Sequence, residues 1–435
     1  MPESVHLKDN SKKTLTNLND DSRNSINLLA NKKLSEILKL NESLLLFSGG
    51  NVDKVEDNNL FEFYSDNSIS THNLVGFVSV NNLSVRIGSR FSDENDKQFF
   101  LQHMLHKINK INLLDLKAGV SNKSVWEQIL YMFFPVLLRK AYHQGIFKAY
   151  QHKQYNDANI KGRIDIDRHI KYNLPFQRKI AYSNRELSSN NPVIQLIRHT
   201  IDYILLKGYQ KLLYTDNTIV TAIQTIEALT PDFSRSNRIQ VIAASKRIVH
   251  PFYTEYEPLR KLCLQILKNE SLSFSSTNNQ VYGILVDIAW VWEEYLYELL
   301  KDKSFIHPEN KTGKHKQYLF QGHNTIYPDL YSIERNTVID AKYKHQGDEN
   351  RHDIYQAVSY MYRLKSKYGL LVYPEHDKQV ISSMNTHTES HGEGISVFIK
   401  YAMHVNYKAD TFTDYHQEIV QAEERFVQYI CNELN

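Results

Sequence analysis

Cysteine is nearly absent from the 435-residue sequence, which contains only Cys263 and Cys431. The two lie far apart, and neither belongs to a pattern with metal-ligand spacing. A disulfide framework needs several pairs of cysteines. The sequence therefore excludes a disulfide-rich secreted domain and predicts two incidental thiols in a reducing compartment.

Long apolar runs and an excess of one charge are missing as well. No apolar segment approaches the roughly 20 residues that span a bilayer, and the start Met1–Ser4 lacks the basic and apolar pattern of a secretory leader. The formal net charge is only +3, so the chain is not a polycation that coats nucleic acid, and any DNA contact must be local. We expect a cytoplasmic protein without a membrane partner.

A nucleotide-binding P-loop, Gly-x-x-x-x-Gly-Lys-Ser/Thr, occurs nowhere in the sequence. That loop supplies the backbone amides and the lysine that hold nucleotide phosphates. If the reaction needs nucleotide energy, the energy must therefore come from another chain.

Length and pattern divide the chain into four predicted regions. A chain of 435 residues exceeds one hydrophobic core, and the polar, aperiodic start predicts a flexible lead-in over 1–27. A β-rich module with amphipathic helices is predicted over 28–190, a helical region over 191–275 and an α/β domain over 276–435. The predicted fold class is α+β, multidomain, with a mixed sheet in the last domain.

Two strand patterns in the β-rich module form a predicted hairpin. Residues 74–80 and 83–88 are rich in strand formers and are joined by Asn81-Asn82, a pair that tolerates the positive φ of a tight turn. Apolar residues at helical spacing then predict helices over 97–111 and 124–145. We expect these elements to position the chemistry rather than to perform it.

The strongest chemical signal lies in residues 326–343. This stretch is typical of a β-hairpin, because two strand-forming runs flank the polar turn 334–337. Asp340 and Lys342 are two apart, so they project from one face of an extended strand, and the hairpin brings Asp329 alongside. Two carboxylates and an amine are therefore predicted at one place.

These groups suit a metal-assisted nuclease. Mg²⁺, or Mn²⁺ in its place, prefers oxygen ligands and keeps waters and a phosphate oxygen in its shell. Such an ion lowers the pKa of a bound water and offsets the charge that builds on phosphorus. We predict Asp329 and Asp340 as ligands. Lys342 would orient or deprotonate the attacking water, with a pKa lowered by burial beside a cation.

An ordinary surface ion pair is the alternative interpretation, since Asp-x-Lys on a strand is commonly solvated. The surrounding order favours catalysis. Pro-Asp, ten residues and Asp-Ala-Lys over 328–342 resemble the PD-(D/E)xK nuclease superfamily, and the Gln-x-x-x-Tyr spacing of Gln356 and Tyr360 resembles its RecB-like branch. The resemblance implies that Gln356 and Tyr360 belong to the catalytic site. It also implies that Glu293, on a helix upstream, is a third acid and metal ligand.

A longer order of elements narrows the resemblance to McrC, the endonuclease subunit of the McrBC modification-dependent restriction system. The elements are the strand pair of 75–78 and 85–88, a helix, Lys161-Gly-Arg163, Asn173-Leu-Pro175 and the nuclease pattern. One departure is Gly88-Ser-Arg90, where the family commonly has Pro-Lys.

The resemblance implies a magnesium-dependent endodeoxyribonuclease that cuts double-stranded DNA and docks on an McrB-like AAA+ GTPase hexamer. Residues 28–190 would bind that ring and stimulate its GTP hydrolysis, so GTP would act only through the partner. Recognition of methylcytosine-type modification would also belong to the partner. Residues 276–435 would cut the DNA.

Two alternatives stay open. One is a free-standing RecB-like nuclease that needs no nucleotide. The other is an activator or assembly protein of an NTPase ring with a degenerate nuclease site, against which the intact Asp…Asp-x-Lys set argues. The need for a partner tests the first alternative, and a divalent-ion titration of DNA cleavage tests the second.

Overall fold

The computed structural model divides the chain into two units. The first unit combines residues 1–132 with 272–435, and the second comprises 133–271. The described residues are 3–16, 18–40, 43–48, 57–81, 83–93, 97–109, 123–214, 216–268, 281–308, 317–376, 380–385 and 396–434. The chain therefore leaves the first unit, builds the second and then returns.

Helices and strands alternate along the described residues. Up to residue 109 they are β1 (Glu3–Lys8), β2 (Lys12–Thr14), α1 (Asp20–Leu29), α2 (Leu34–Leu40), β3 (Ser43–Phe47), β4 (Phe61–Phe63), β5 (Ser68–Thr71), β6 (Leu74–Val80), β7 (Leu83–Gly88) and α3 (Phe99–Asn109). Next come α4 (Lys123–His143), β8 (Ala149–Asp157), β9 (Arg163–Ile164), α5 (Ile166–Asn173), β10 (Ile180–Ser188), α6 (Pro192–Leu206), α7 (Gln210–Leu213), α8 (Asn217–Leu229), α9 (Arg238–Ala244) and α10 (Tyr256–Lys268). The last are β11 (Val281–Asp287), α11 (Ile288–Leu300), β12 (Gln317–Phe320), β13 (His323–Ile326), β14 (Leu330–Ser332), β15 (Thr337–Ala341), α12 (Arg351–Leu364), β16 (Tyr368–Glu375), β17 (Val380–Asn385), β18 (Val397–His404) and α13 (Phe412–Gln428). The prediction of a mixed α and β protein is confirmed.

The first sheet joins the start of the chain to a strand more than 270 residues later. Its order is β1-β7-β6-β11-β3. The predicted β6–β7 hairpin is confirmed by their antiparallel pairing, although Asn82 of its turn lies outside the described residues. β11 approaches β6 so closely that a Cβ on Gly76 would collide with the carbonyl of Ile284. The predicted boundary at 275 lies close to the division between the two units at 271 and 272. Residues 276–435 do not form a domain of their own, however, because β11 completes the N-terminal sheet.

The prediction of a flexible lead-in over 1–27 is wrong. β1 pairs in parallel with β7, and its Val5 and Leu7 are buried in the same core as Ile26 and Leu29 of α1. Asn19 caps α1 by accepting a hydrogen bond from Ser22 N over 2.7 Å. β1 has only two apolar residues, Val5 and Leu7, at alternate positions. Because the rest of the segment is polar, its composition did not indicate a strand with one buried face.

The second unit contains a three-stranded sheet and most of the helices predicted between 191 and 275. β10 lies between β8 and β9 and is antiparallel to both. Asn191 caps α6 through the amides of Val193 and Ile194, so this helix starts at Pro192 as its sequence indicates. The predicted boundary at 190 falls inside this unit, between β10 and α6.

The second five-stranded sheet carries the residues with chemical signals. Its order is β14-β15-β16-β18-β17. The inner pairs β15–β16 and β16–β18 are parallel, whereas the outer pairs are antiparallel, so the sheet is mixed as predicted. α12 covers one face through Ala357, Tyr360 and Met361, which share a core with Val338 and Leu371. None of the helices in the described ranges is both long and apolar enough to cross a bilayer.

Candidate active site

The register of the β14–β15 hairpin brings Asp329 and Asp340 together. Leu330 pairs with Ile339, so the same register places Asp329, one residue before β14, opposite Asp340. Oδ2 of Asp329 accepts a hydrogen bond from Ala341 N over 2.7 Å, which fixes this carboxylate against β15. The sequence predicted this juxtaposition from the hairpin pattern alone.

Lys342 lies at the end of β15, on the same face as Asp340. Its backbone N–H donates to the carbonyl of Val372 on β16 over 2.9 Å. Its Nζ lies 2.6 Å from Asp340 Oδ2 and 3.6 Å from Asp353 Oδ1. The ammonium also donates to Gln356 Oε1 over 3.3 Å, so two carboxylates and one amide surround it.

Gln356 and Tyr360 connect this ammonium to the backbone that leads into Asp329. The amide Nε2 of Gln356 donates to the Tyr360 hydroxyl over 2.5 Å. That hydroxyl donates to the carbonyl of Tyr327 over 3.1 Å. The two side chains lie four residues apart on one face of α12, as the sequence predicts, and they link Lys342 with the Pro-Asp turn.

Burial and mutual repulsion dominate the electrostatics of the two aspartates. Burial raises the pKa of Asp329 well above its usual range, and the charge of Asp340 raises it further. Burial also raises the pKa of Asp340, against the opposing effect of Lys342. The interaction between the two carboxyl groups raises the pKa of Asp329 and lowers that of Asp340, so Asp329 is the one that holds a proton more tightly.

This donor set fits a hard divalent cation. Asp340 is only 2% exposed, and its Oδ2 has no hydrogen-bond partner among the described residues beyond the ion pair with Lys342. Two adjacent buried carboxylates offer oxygen ligands whose repulsion a cation relieves. Magnesium commonly takes one or two protein carboxylates and fills the rest of its shell with water and phosphate.

Glu293 lies on α11, which is anchored to the sheet by the Trp292 indole. The Trp292 Nε1 donates to the Val372 carbonyl over 3.2 Å, the same carbonyl that receives the Lys342 amide. Burial, and then the charges of Asp329, Asp287 and Asp340, raise the pKa of Glu293 well above its usual range. Within the described ranges no three acidic, histidine or cysteine side chains are grouped closely enough to hold one ion. Glu293 is therefore an electrostatic neighbour of the aspartates, and its ligation of the metal stays a prediction.

The predicted lowering of the Lys342 pKa depends on a bound cation, and the carboxylates alone have the opposite effect. Burial does lower it, but Asp340, Asp329 and Asp353 outweigh burial and raise the pKa of the ammonium above its ordinary value. Sequence spacing located the lysine beside two carboxylates, Asp340 and Asp329, and did not reveal the third, Asp353. Lys342 is a fixed positive charge here rather than a ready proton acceptor.

Asp353 was not predicted as a site residue. It forms a capping box at the start of α12 with Asn350, in which each side chain accepts a hydrogen bond from the other's backbone N–H. The same carboxylate pairs with Lys344 and faces Lys342. The spacing Asn-x-x-Asp ahead of a helical pattern is a capping signal, but its second use as a partner of Lys342 depends on the folded sheet.

His307 was missed as well, and no sequence pattern points to it. Its Nδ1 lies 2.6 Å from the carbonyl oxygen of Asp329, and its Nε2 lies 3.5 Å from Glu294 Oε1. The indole of Trp290 also donates to Glu294 Oε1, over 3.0 Å. His307 thus braces the backbone of Asp329 from the side of α11.

Asp287 should be a source of pH-dependent instability. It caps α11 through Ala289 N and Trp290 N, and burial raises its pKa from 3.8 to about 6. The folded state binds the proton of Asp287 more tightly than the unfolded state does. The contribution of Asp287 to the free energy of unfolding therefore falls as the pH rises from about 4 to about 6. Asp287→Asn keeps a capping oxygen. We expect it to leave stability unchanged below about pH 4 and to raise it by about 3 kcal/mol above about pH 6.

Urea unfolding of both proteins at several pH values measures this difference. Asp302→Asn, at an exposed aspartate just beyond α11, is the matched control. A constant difference between Asp287→Asn and the unmodified chain at all pH values would contradict the assignment.

Comparisons with known proteins identify a family and similar solved structures. A sequence model of the family described as McrBC 5-methylcytosine restriction system component matches residues 69–374, more than half of the chain. No curated protein sequence matches. Among solved structures, a half-complex of Thermococcus gammatolerans McrB AAA+ hexamers with bound McrC has 15% identity and a TM-score of 0.48, over 99% of this chain and 100% of that one. The McrBC complex of the same organism, solved by cryo-EM, has 15% identity and a TM-score of 0.32, over 68% and 87%.

Proposed function

The chain belongs to the McrBC 5-methylcytosine restriction system component family, and on that premise we propose that it is the DNA-cleaving subunit of a GTP-dependent, modification-dependent restriction system. The observation that carries the proposal is the enclosed pair of Asp329 and Asp340 with the Lys342 ammonium 2.6 Å from Asp340. Structural ion pairs rarely place two repelling carboxylates side by side, whereas metal-assisted phosphodiester hydrolysis requires them.

Asp329 and Asp340 would hold Mg²⁺ or Mn²⁺. Such an ion, when bound, lowers the pKa of a water molecule and offsets negative charge on the phosphate. Lys342 stays positively charged and stabilises the charge that develops on the scissile phosphate. Gln356 holds the lysine in place, and through Tyr360 it fixes the turn before Asp329.

Cleavage and metal binding should strengthen with rising pH. The pKa of Asp329 is raised well above its usual range, so at low pH a proton competes with the cation for the same oxygens. We expect the Mg²⁺ affinity to rise with pH, by up to about tenfold per pH unit, while the Asp329 carboxyl loses its proton above the usual range of an aspartate. Titration calorimetry in buffers with different ionisation enthalpies measures both the affinity and the protons released.

DNA cleavage by the chain together with its GTPase partner tests the proposed function directly. Plasmid DNA carrying modified cytosine should be cut by the chain with its GTPase partner, GTP and Mg²⁺, and not after chelation of the metal. Cleavage without partner or GTP would favour a free-standing nuclease. Stimulated GTP hydrolysis without any metal-dependent cleavage would favour an activator with a degenerate site.

The partner we propose is an McrB-like AAA+ GTPase hexamer. The sequence has no P-loop of its own, so GTP hydrolysis has to come from another chain. The segment 158–179, between β8 and β10 of the second unit, offers a surface for it. This segment contains exposed apolar side chains: Ile160, Ile164, Ile166, Ile170, Tyr172, Leu174 and Phe176. Clustered exposed apolar residues mark interaction sites, and the segment lies in the region predicted from sequence to bind the ring.

The backbone of this segment is fixed against β10 by Gly162. A Cβ at this position would collide with the carbonyl of Ser183, so only glycine allows the approach. Asp165 then caps α5 by accepting a hydrogen bond from Arg168 N over 3.2 Å. The packing against β10 therefore explains the glycine of the Lys161-Gly-Arg163 pattern. The two basic residues of the pattern lie on either side of it in the sequence.

A further inference from the structure

The chain turns away from the sheet immediately after Lys342. β15 ends at Ala341, the Lys342 amide makes a further bond to Val372 over 2.9 Å, and the Lys344 amide then bonds back to the Lys342 carbonyl over 2.9 Å. The next side chain, Tyr343, is 5% exposed. Its hydroxyl lies 2.6 Å from Ser89 Oγ, in the turn that follows β7.

That turn is held rigidly by its own hydrogen bonds. Ser89 N donates to Gln98 Oε1 over 3.0 Å, and Ser89 Oγ accepts from Phe91 N over 3.0 Å. Ser92 Oγ donates to the Ser89 carbonyl over 2.6 Å. The Ser89 hydroxyl therefore has a fixed position.

A buried ion pair secures the same turn to the start of the chain. Arg90 donates from its backbone N and its Nε to the Asp9 carboxylate over 2.5 and 2.8 Å, and Asp9 is fully buried. The Arg90 guanidinium lies 5.4 Å from the centre of the Tyr343 ring, and the Phe91 ring meets that ring edge-on at 5.1 Å. Residues 89–91 therefore contact Tyr343 both at its hydroxyl, through a hydrogen bond, and at its ring.

We propose that Tyr343 is a positioning residue for Lys342, with the Ser89 hydroxyl as its anchor; this inference rests on the proposed nuclease function. The tight turn that the Lys344 amide closes on the Lys342 carbonyl has Tyr343 at its centre, so holding the Tyr343 side chain fixes the rotation of the backbone that carries Lys342. That rotation decides where the Lys342 ammonium lies relative to Asp340. Small misplacements of catalytic groups have large effects on rate.

Removing the hydroxyl of Tyr343 tests the proposal, because Tyr343→Phe keeps the ring and its packing. We expect kcat for DNA cleavage by the full-length chain with its partner, GTP and Mg²⁺ to fall about tenfold, with KM for DNA and the unfolding midpoint unchanged. Ser89→Ala should have the same effect. The double variant should be no slower than either single one, since both remove the same bond.

Tyr415→Phe is the matched control. Tyr415 is also buried, and its hydroxyl has no hydrogen-bond partner among the described residues, so this variant should cleave at the unmodified rate. Cleavage by Tyr343→Phe within about twofold of the unmodified rate would overturn the positioning role and leave the proposed function intact. A loss confined to KM or to stability would also overturn it. Absence of cleavage by the unmodified chain would overturn the proposed function and this inference together.

Discussion

Asp340→Asn is expected to lower DNA cleavage by about a thousandfold or more while the protein folds and engages its partner normally. Asparagine has nearly the shape of aspartate but lacks the negative charge that binds a divalent ion. Because Asp340 is buried beside Asp329, the substitution also removes repulsion between two carboxylates. We therefore expect thermal stability to be unchanged or slightly higher.

Single-turnover cleavage of modified plasmid DNA measures the effect, with GTP hydrolysis by the partner as the measure of intact assembly. Asp348→Asn is the matched control, since this aspartate is exposed in the turn beyond Lys342. Full cleavage by the Asp340→Asn protein would refute the site. Equal losses in both variants would point to a general effect of charge.

The residues of the site that sequence could locate are those placed by local geometry. Asp340 and Lys342 share a face because side chains alternate along a strand, and Asp329 joins them through the register of a short hairpin. Gln356 and Tyr360 meet because they lie four apart in a helix. In each case the spacing along the chain determines the contact, so no knowledge of distant segments is required.

The features that sequence could not supply depend on distant segments. β11 pairs with β6 and β3. The sequence of β11 predicts a strand but does not indicate which distant strands it pairs with. His307 reaches Asp329 only because α11 and the hairpin lie together. The pKa of Lys342 is raised because Asp340, Asp329 and Asp353 together outweigh burial, and Asp353 comes from a separate helix. Local patterns fix which groups are present, whereas the number of charges around them follows from the tertiary fold.

This topology also decides how the partner-binding surface must be tested. A fragment ending at residue 190 would lack β11, which lies between β6 and β3 in the first sheet, and would lose α6–α10 of the second unit. Its failure to bind would say nothing about the surface. Substitutions at exposed positions of the full chain avoid this problem.

The variant Ile170→Asp/Phe176→Asp should strongly weaken binding to the partner and thereby the stimulation of its GTP hydrolysis. Both side chains are more than half exposed, at 54% and 63%, so charge at these positions costs little folding energy. In a desolvated interface each charge would be buried without a partner, which costs about 2 kcal/mol or more. We expect the concentration for half-maximal stimulation to rise by at least about thirtyfold.

Ile239→Asp is the matched control, since Ile239 is 78% exposed on α9 of the same unit and lies outside the segment 158–179. It should stimulate the GTPase like the unmodified chain. The proposed metal site of Asp329 and Asp340 lies in the first unit, so both variants should bind Mg²⁺ as the unmodified chain does in calorimetry. Undiminished stimulation by the double variant would exclude segment 158–179 as the docking surface, and an equal loss in the Ile239→Asp protein would extend the surface to α9.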